Sequence, residues 1–475
     1  MTTTVRPAKQ LDRSIVEGPL SRAVWMLAWP TVLQNLIGGL QGIVDHALVG
    51  HLVGYAGNAA IGVAIQIFIV VIAFIMSVFS GMGVLVARFA GANEPEKVNR
   101  AVYQAALAAL ALWALVLAPL GWILAPSLLG AVHAAPAVQA QALPFLRIMF
   151  VGSVGMLLFF MVSGALRAAG DARTPLRLGV LLTVLNIACN IVFITGVGPA
   201  PRLGTAGAAV GTTVAGLTVS GIAGYLLLSG RLAVRWHRGM DWRPDWGIIR
   251  ALFRFGLPTG VQGIAMNVAG LLLLRFIGSL GQSAQAQAAY AVGYTELFSF
   301  ITWTSVGLMS AGATVAGQNL GAQRPDRTVH GVRVAAGIGL GLAATIGLLF
   351  LTIPRALLGL FGMTDPVVVT IGVQLLRFLS VSGLFVTVAL AYTGGLQGTG
   401  DTRSPLYISI ASQIIVPLGL CSVIQATREL QPADIWTAIL LGHITRCALS
   451  VWRFRQGKWR GILVEVEARV PSART

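Results

Sequence analysis

Residues 25–54 read WMLAWPTVLQNLIGGLQGIVDHALVGHLVG. This run is mostly apolar and contains a single carboxylate, Asp45. About 20 consecutive apolar residues are enough for a helix to cross a bilayer, so the run is long enough to span one. An ionisable group inside such a helix is costly to keep in hydrocarbon and is a functional hypothesis by default. The stretch therefore predicts a membrane protein and makes Asp45 its first candidate functional residue.

The composition of the whole chain also favours a membrane protein. Of its 475 residues, 56% are hydrophobic and 10% are charged, whereas soluble domains carry about 25% charged residues. The net charge of +17 does not indicate nucleic-acid binding, because the basic residues are scattered between apolar runs instead of being clustered in one domain. We therefore expect a lipid bilayer, and no nucleic acid, as a partner of the chain.

Apolar windows of about 20 residues, separated by charged or Gly/Pro-rich segments, predict twelve transmembrane helices. The predicted fold class is an all-α integral membrane protein. The predicted spans cover residues 24–52, 57–86, 101–125, 140–166, 176–198, 206–229, 250–279, 286–316, 332–353, 368–394, 406–427 and 434–455.

The basic residues predict the orientation of these spans. Most Lys and Arg residues fall in the two tails and in alternate loops, and Arg167 is assigned to the loop after the fourth span. The opposite loops contain only Arg202, Arg355 and Arg428. Because cytoplasmic loops carry the excess of Lys and Arg, both termini are predicted to be cytoplasmic.

The chain repeats itself at a shift of 230 residues. LVARFAGANEPEKVNRAV at 85–102 matches VAGQNLGAQRPDRTVHGV at 315–332, and GALRAAGDARTPL at 164–176 matches GGLQGTGDTRSPL at 394–406. The repeat predicts two six-helix lobes of the same orientation with a binding cavity between them. The predicted division of the chain is a tail at 1–22, an N-terminal lobe at 23–229, a linker at 230–249, a C-terminal lobe at 250–455 and a tail at 456–475.

Sequence motifs of enzymes do not occur in this chain. It has no G-x-x-x-x-G-K-[ST] loop, no H-E-x-x-H, no Cys-x-x-Cys and no nucleophile elbow. We therefore predict that the protein is not an enzyme and needs neither a metal nor an organic cofactor. An ion gradient of H⁺ or Na⁺ is the expected energy source. A membrane-embedded transferase would need an acid or metal cluster, for which the loops are too short.

Two acids lie inside predicted spans. Of the sixteen Asp and Glu residues, only Asp45 and Glu296 do so. A carboxylate can take up and release a proton, or hold Na⁺ together with neighbouring oxygens. The alternative for Asp45 is a structural hydrogen bond or an ion pair with an intramembrane arginine such as Arg275. Glu296 is either a candidate cation site or a residue hydrogen-bonded to a nearby side chain such as Tyr294.

Amide side chains accompany the two acids. Asn186 and Asn190 are four residues apart, so they share one face of the fifth span. We interpret them as ion-coupling residues together with Asp45, and Gln34 of the first span as a candidate substrate or cation site. The alternative is hydrogen bonding between helices, a common role of polar side chains inside membranes.

The paired loop GA-x-x-P-[ED]-[KR] and the paired turn GD-x-R-[TS]-P resemble those of the multidrug and toxic compound extrusion (MATE) family, as do PTVLQN and VDHALVG in the first span. The resemblance covers about residues 20–455 and is closest to the DNA-damage-inducible-F-like prokaryotic branch. It implies a V-shaped pair of six-helix lobes, with Asp45 as the protonation site. That branch commonly has Asn and Asp four residues apart on the fifth helix. Here the pair is Asn186 and Asn190, which leaves Asp45 as the one titratable group of the N-terminal lobe.

With this resemblance, we predict a monomeric secondary antiporter of the cytoplasmic (inner) membrane. It would export cationic or amphiphilic small molecules in exchange for H⁺ or Na⁺. The alternative is a lipid-linked precursor flippase or polysaccharide exporter of the same superfamily. Such cavities tend to be strongly cationic in order to hold phosphates, whereas the predicted spans contain few positive residues.

Overall fold

The computed structural model describes residues 11–132, 135–198, 200–237 and 239–464. Residues 1–10 and 465–475 of the predicted tails, and residue 238 of the predicted linker, lie outside the described residues. Within the described ranges the chain is helical, without strands, and twelve helices are long and apolar enough to cross a membrane. The predicted fold class and number of spans are therefore confirmed.

Twelve long helices follow one another along the described chain. They are α1 (Leu20–Leu52), α2 (Tyr55–Gly91), α3 (Pro95–Ala131), α4 (Pro136–Ala168), α5 (Arg173–Thr195), α6 (Thr205–Leu228), α7 (Trp246–Gly278), α8 (Ser283–Gly321), α9 (Pro325–Thr352), α10 (Pro366–Thr399), α11 (Arg403–Thr427) and α12 (Pro432–Arg455).

Most of these helices extend beyond the predicted spans. α3, for example, begins at Pro95 although its span is predicted from residue 101. A proline suits the first turn of a helix, where its missing N–H has no partner to lose. Charged residues such as Glu96 and Lys97 are good helix formers, but hydropathy excludes them from a span. The helices therefore continue past the apolar segments that the sequence marks.

The repeated turns before α5 and α11 have the same geometry. In the first, the carboxylate of Asp171 accepts hydrogen bonds from the backbone N–H and the hydroxyl of Thr174, at 3.0 and 2.8 Å. In the second, Asp401 accepts the same two bonds from Ser404, at 3.2 and 2.9 Å. Each acid thus satisfies a backbone donor that the start of a helix leaves unpaired.

α2 and α8 touch where the two halves meet. A β-carbon on Gly91 would lie 1.9 Å from the carbonyl oxygen of Gln318, and one on Gly321 would lie 2.1 Å from that of Arg88. The two contacts correspond to each other in the repeat. The amide of Gln318 also donates a 2.8 Å hydrogen bond to the carbonyl of Ala168. The halves are thus closed against each other on the side where α2, α4 and α8 end. We call this side the basic face, because basic residues such as Arg88 lie in the last turns of α2 and α4.

α1 contacts both halves of the structure. Near its beginning, Leu20, Val24 and Leu27 are buried in a cluster with side chains of α8, α9, α10 and α12. Farther along, Gln41 accepts a 2.7 Å hydrogen bond from the hydroxyl of Thr183 on α5. One end of α1 therefore packs against helices of the second half, while the side chains of its other end contact the first half.

We expect Gly91→Ala to destabilise the closed basic face, because its methyl group would have to displace the backbone of α8. Overpacking of this kind typically costs about 1–3 kcal/mol. The thermal unfolding temperature of the detergent-solubilised protein measures the effect. The matched control is Gly83→Ala on the same helix, where a β-carbon meets nothing within 4 Å. Equal unfolding temperatures for the two variants would contradict the contact.

Candidate ion-coupling and substrate site

A cavity of about 470 Å³ lies inside the first half, between α1, α2, α4, α5 and α6. Isoleucine, phenylalanine and methionine side chains form most of its wall. The polar part of the wall consists of Gln41, Asp45, Asn190 and Thr212. A molecule in this cavity would therefore meet one carboxylate in apolar and aromatic surroundings.

Asp45, Asn190 and Asn186 form a chain of hydrogen bonds. The side-chain amide of Asn190 donates to Oδ1 of Asp45 at 2.9 Å and to Oδ1 of Asn186 at 3.1 Å. Asn186 in turn donates to the hydroxyl of Thr212 on α6 at 2.9 Å. Both asparagines are 1% exposed, whereas Asp45 is half-buried and borders the cavity. The four-residue spacing on α5 therefore directs two amides towards the acid on α1.

Asp45 accepts a hydrogen bond from the amide of Asn190, and His46 follows it on the same helix. Gln41 also lines the cavity, and its side-chain oxygen accepts a hydrogen bond from Thr183. Among the described residues no arginine or lysine forms an ion pair with Asp45, so the pairing with Arg275 that the sequence left open is not formed. Within the same residues no group of three His, Cys, Asp or Glu side chains is placed to hold a metal ion. A carboxylate that pairs with no arginine or lysine suits the reversible binding of a cation.

The structure places the other two candidate residues away from this cavity. Gln34 accepts a 3.1 Å hydrogen bond from the guanidinium of Arg167 and is not part of the wall around Asp45. Glu296 lies in the other half, in a π-helical segment of α8, where its backbone carbonyl accepts a hydrogen bond from the hydroxyl of Ser299. The roles suggested for Gln34 and Glu296 stay predictions.

The placement of Arg167 in a loop is wrong. Arg167 lies in the last turn of α4, partly buried where the two halves meet. A hydropathy window ends a span at a charged residue, whereas the helix continues through it. The repeat gave no signal of this, because Gln397, which aligns with Arg167, also falls outside its predicted span of 368–394 and lies within the tenth helix only in the structure.

Comparison with known proteins decides the family. A family model described as MatE matches residues 30–192 and 258–422, which lie in the two repeated halves. The chain belongs to the MATE family. The resemblance found in the sequence is thereby confirmed, and the protein is a multi-pass membrane transporter, not an enzyme.

Individual relatives match over nearly the whole chain. "Probable multidrug resistance protein NorM" of Thermotoga maritima is 26% identical over 450 residues, which cover 94% of each chain. The protein of the same name from Deinococcus radiodurans is 30% identical over 458 residues, covering 92% of this chain and 96% of that one. A solved structure described as "Outward-facing conformation of a multidrug resistance MATE family transporter of the MOP superfamily" has a TM-score of 0.87 at 20% identity, over 96% of this chain and 100% of that chain. This likeness shows a shared fold. The assignment to one branch of the family stays a prediction.

We expect Asn190→Ala to lower the free energy of unfolding by about 1–3 kcal/mol, because Asp45 and Asn186 both lose their shared buried donor. Thermal unfolding measures the loss. The matched control is Asn267→Ala on α7, since among the described residues the exposed Asn267 amide bonds only to the carbonyl of Gly263 in its own helix. The hydrogen-bond chain would be disproved as a stabilising element if Asn190→Ala unfolded at the temperature of this control.

Proposed function

We propose that this protein is a multidrug efflux transporter of the cytoplasmic membrane, acting as a monomeric antiporter that exports cationic or amphiphilic small molecules in exchange for H⁺. The observation that carries the proposal is Asp45, a carboxylate without an arginine or lysine partner among the described residues, in the wall of an apolar cavity. The names of the NorM relatives support the substrate class. The positive-inside rule favours a cytoplasmic location for the basic face and for both termini.

The cavity wall favours amphiphilic cations as substrates. Phe68, Phe145 and Phe160 supply aromatic rings, and Met149 supplies a flexible thioether. Ring faces attract cations, and methionine adapts to irregular apolar shapes. The volume of about 470 Å³ lies within the range of about 300–1,000 Å³ for small-molecule sites. The charge of Asp45 would attract the positive group of the substrate, while the apolar body of the substrate contacts the rest of the wall.

The groups around Asp45 favour H⁺ over Na⁺ as the coupling ion. The side-chain amide of Asn190 directs an N–H donor at Oδ1 of the carboxylate. A sodium ion needs several oxygen ligands, and this donor already occupies one of the two carboxylate oxygens. A proton binds to a carboxylate oxygen without further ligands, and the amide of Asn190 remains close enough to hydrogen-bond the neutral acid.

Proton and substrate would then compete for one carboxylate. In its ionised form Asp45 attracts the substrate cation, and protonation removes that attraction and releases the substrate. The neutral acid also avoids an unpaired charge in hydrocarbon while the transporter reorients. α1 can transmit this change, because Asp45 lies near one end of the helix and the buried Leu20 and Val24 near the other end pack on the second half. Rocking of the halves against each other would give alternating access.

The lipid-linked precursor flippase and polysaccharide exporter are weaker candidates. Their substrates carry phosphate or other anionic groups, which need cations in the binding cavity. The described wall around Asp45 contains a carboxylate and no basic side chain. A headgroup-translocation assay in proteoliposomes is the discriminating measurement, and we expect no translocation.

We expect Asp45→Asn to abolish ethidium transport driven by a proton gradient in proteoliposomes, because an amide cannot exchange a proton for a substrate cation. Ethidium fluorescence measures the transport rate, and size-exclusion chromatography with thermal unfolding shows that the variant is folded.

The matched control for this experiment is Glu429→Gln. Glu429 is an exposed acid in the connection between α11 and α12, so the same loss of a carboxylate should leave transport at the wild-type rate. Transport by a folded Asp45→Asn protein at the rate of Glu429→Gln would refute the proposed coupling.

A further inference from the structure

A second cavity, of about 180 Å³, lies between the two halves and shares no lining residue with the cavity around Asp45. Twelve of its thirteen lining residues form pairs separated by the repeat shift of 230, among them Ser80 with Ser310 and Arg167 with Gln397. α2 and α4 provide one member of each pair, and α8 and α10 provide the other. The cavity therefore lies on the axis that relates the halves, and we call it the axial cavity.

One pair of lining residues in the axial cavity differs in charge between the two halves. In the second half, the amide of Gln397 donates a 3.3 Å hydrogen bond to Gln262. In the first half, the guanidinium of Arg167 donates a 3.1 Å hydrogen bond to Gln34, which aligns with Gln262 at a shift of 228 residues, the shift that relates the first helices of the two halves. The two hydrogen bonds are equivalent, but one comes from a cation and the other from a neutral amide. Arg167 is therefore not needed to form this type of bond.

Within the described ranges, no acid forms an ion pair with Arg167. A guanidinium has five N–H donors. Among the described residues, Gln34 is the one side-chain acceptor bonded to that of Arg167. Removing such a cation from water without a counter-charge is costly. Because the side chain is partly buried and borders the axial cavity, an anion in that cavity would offset the cost.

The other polar groups of the axial cavity suit the same ligand. Ser80 and Ser310 line it, and no carboxylate is present among its lining residues. A serine hydroxyl can donate a hydrogen bond to an anion. Its volume is below the range of about 300–1,000 Å³ typical of drug-sized ligands. A halide ion or a small carboxylate is the class of ligand that these dimensions and donors admit.

We propose that the axial cavity is a binding site for a small monovalent anion, held by Arg167 with the help of Ser80 and Ser310. α2 and α4 supply these groups from one half and α8 from the other, so separating the halves would take the site apart. Beside the cavity, Gln318 contacts Gly91 and donates a hydrogen bond to Ala168, which joins the two halves at the basic face. A bound anion would therefore stabilise the state in which the halves are closed at this face. The proposal concerns binding and does not depend on which molecule is transported.

Thermal unfolding of the purified, full-length protein in detergent tests this site. Sodium chloride, bromide or acetate would replace the sodium salt of MES, a bulky sulfonate, at constant ionic strength. We expect the unfolding temperature to rise with halide or acetate and to saturate. A response to halide alone identifies an inorganic anion as the ligand, and a response to acetate alone identifies a carboxylate. Wild-type protein that responds to none of these anions would overturn the proposal.

Two substitutions locate the response. Arg167→Gln introduces into the first half the residue that the second half has at the matching position, so the helix should tolerate the change. We expect the anion affinity to fall by about tenfold or more, because a charge-assisted contact is lost. The control is Arg147→Gln, since Arg147 on the same helix instead stacks on the ring of Trp122, with its guanidinium carbon 4.9 Å from the ring centroid. This control should keep the wild-type response. An unchanged anion response in folded Arg167→Gln protein would also overturn the proposal.

Discussion

The hydrogen bond from Asn190 to Asp45 joins α5 to α1 and holds the one acid of the apolar cavity in place. The rest of the arrangement depends on it, because α1 is anchored at its other end among helices of the second half. A change in the charge of Asp45 therefore acts at a point where one helix connects both halves. Antiport needs such a connection, since ion binding must bias the contact between the halves if it is to drive transport.

The repeat builds the same framework twice, and the proposed functions lie where the two copies differ. At the shift of 228 residues that relates the first helices of the two halves, Leu273 aligns with Asp45, and at the shift of 230 Gln397 aligns with Arg167. The acid faces a cavity inside the first half, and the arginine faces the cavity between the halves. A symmetric scaffold with asymmetric charge allows cations and anions to be bound at separate places in one chain.

The sequence predicted the helices and their number because apolar runs of membrane length leave few alternatives. It also predicted that Asn186 and Asn190 share a helix face, and the structure places that face against Asp45. It did not predict the contact of Gln34 with Arg167, because pairing between α1 and α4 is set by packing that hydropathy does not describe. Arg167 was placed in a loop since a charged residue at a helix end resembles a span boundary.

Proton movement during substrate exchange tests the proposed antiport at Asp45 most directly. Proteoliposomes of the wild-type protein would enclose a pH-sensitive dye in buffer free of Na⁺, and an ethidium gradient would be imposed across the membrane. H⁺/substrate antiport predicts that protons move in the direction opposite to ethidium without Na⁺. Ethidium exchange that requires Na⁺ and moves no protons would contradict it.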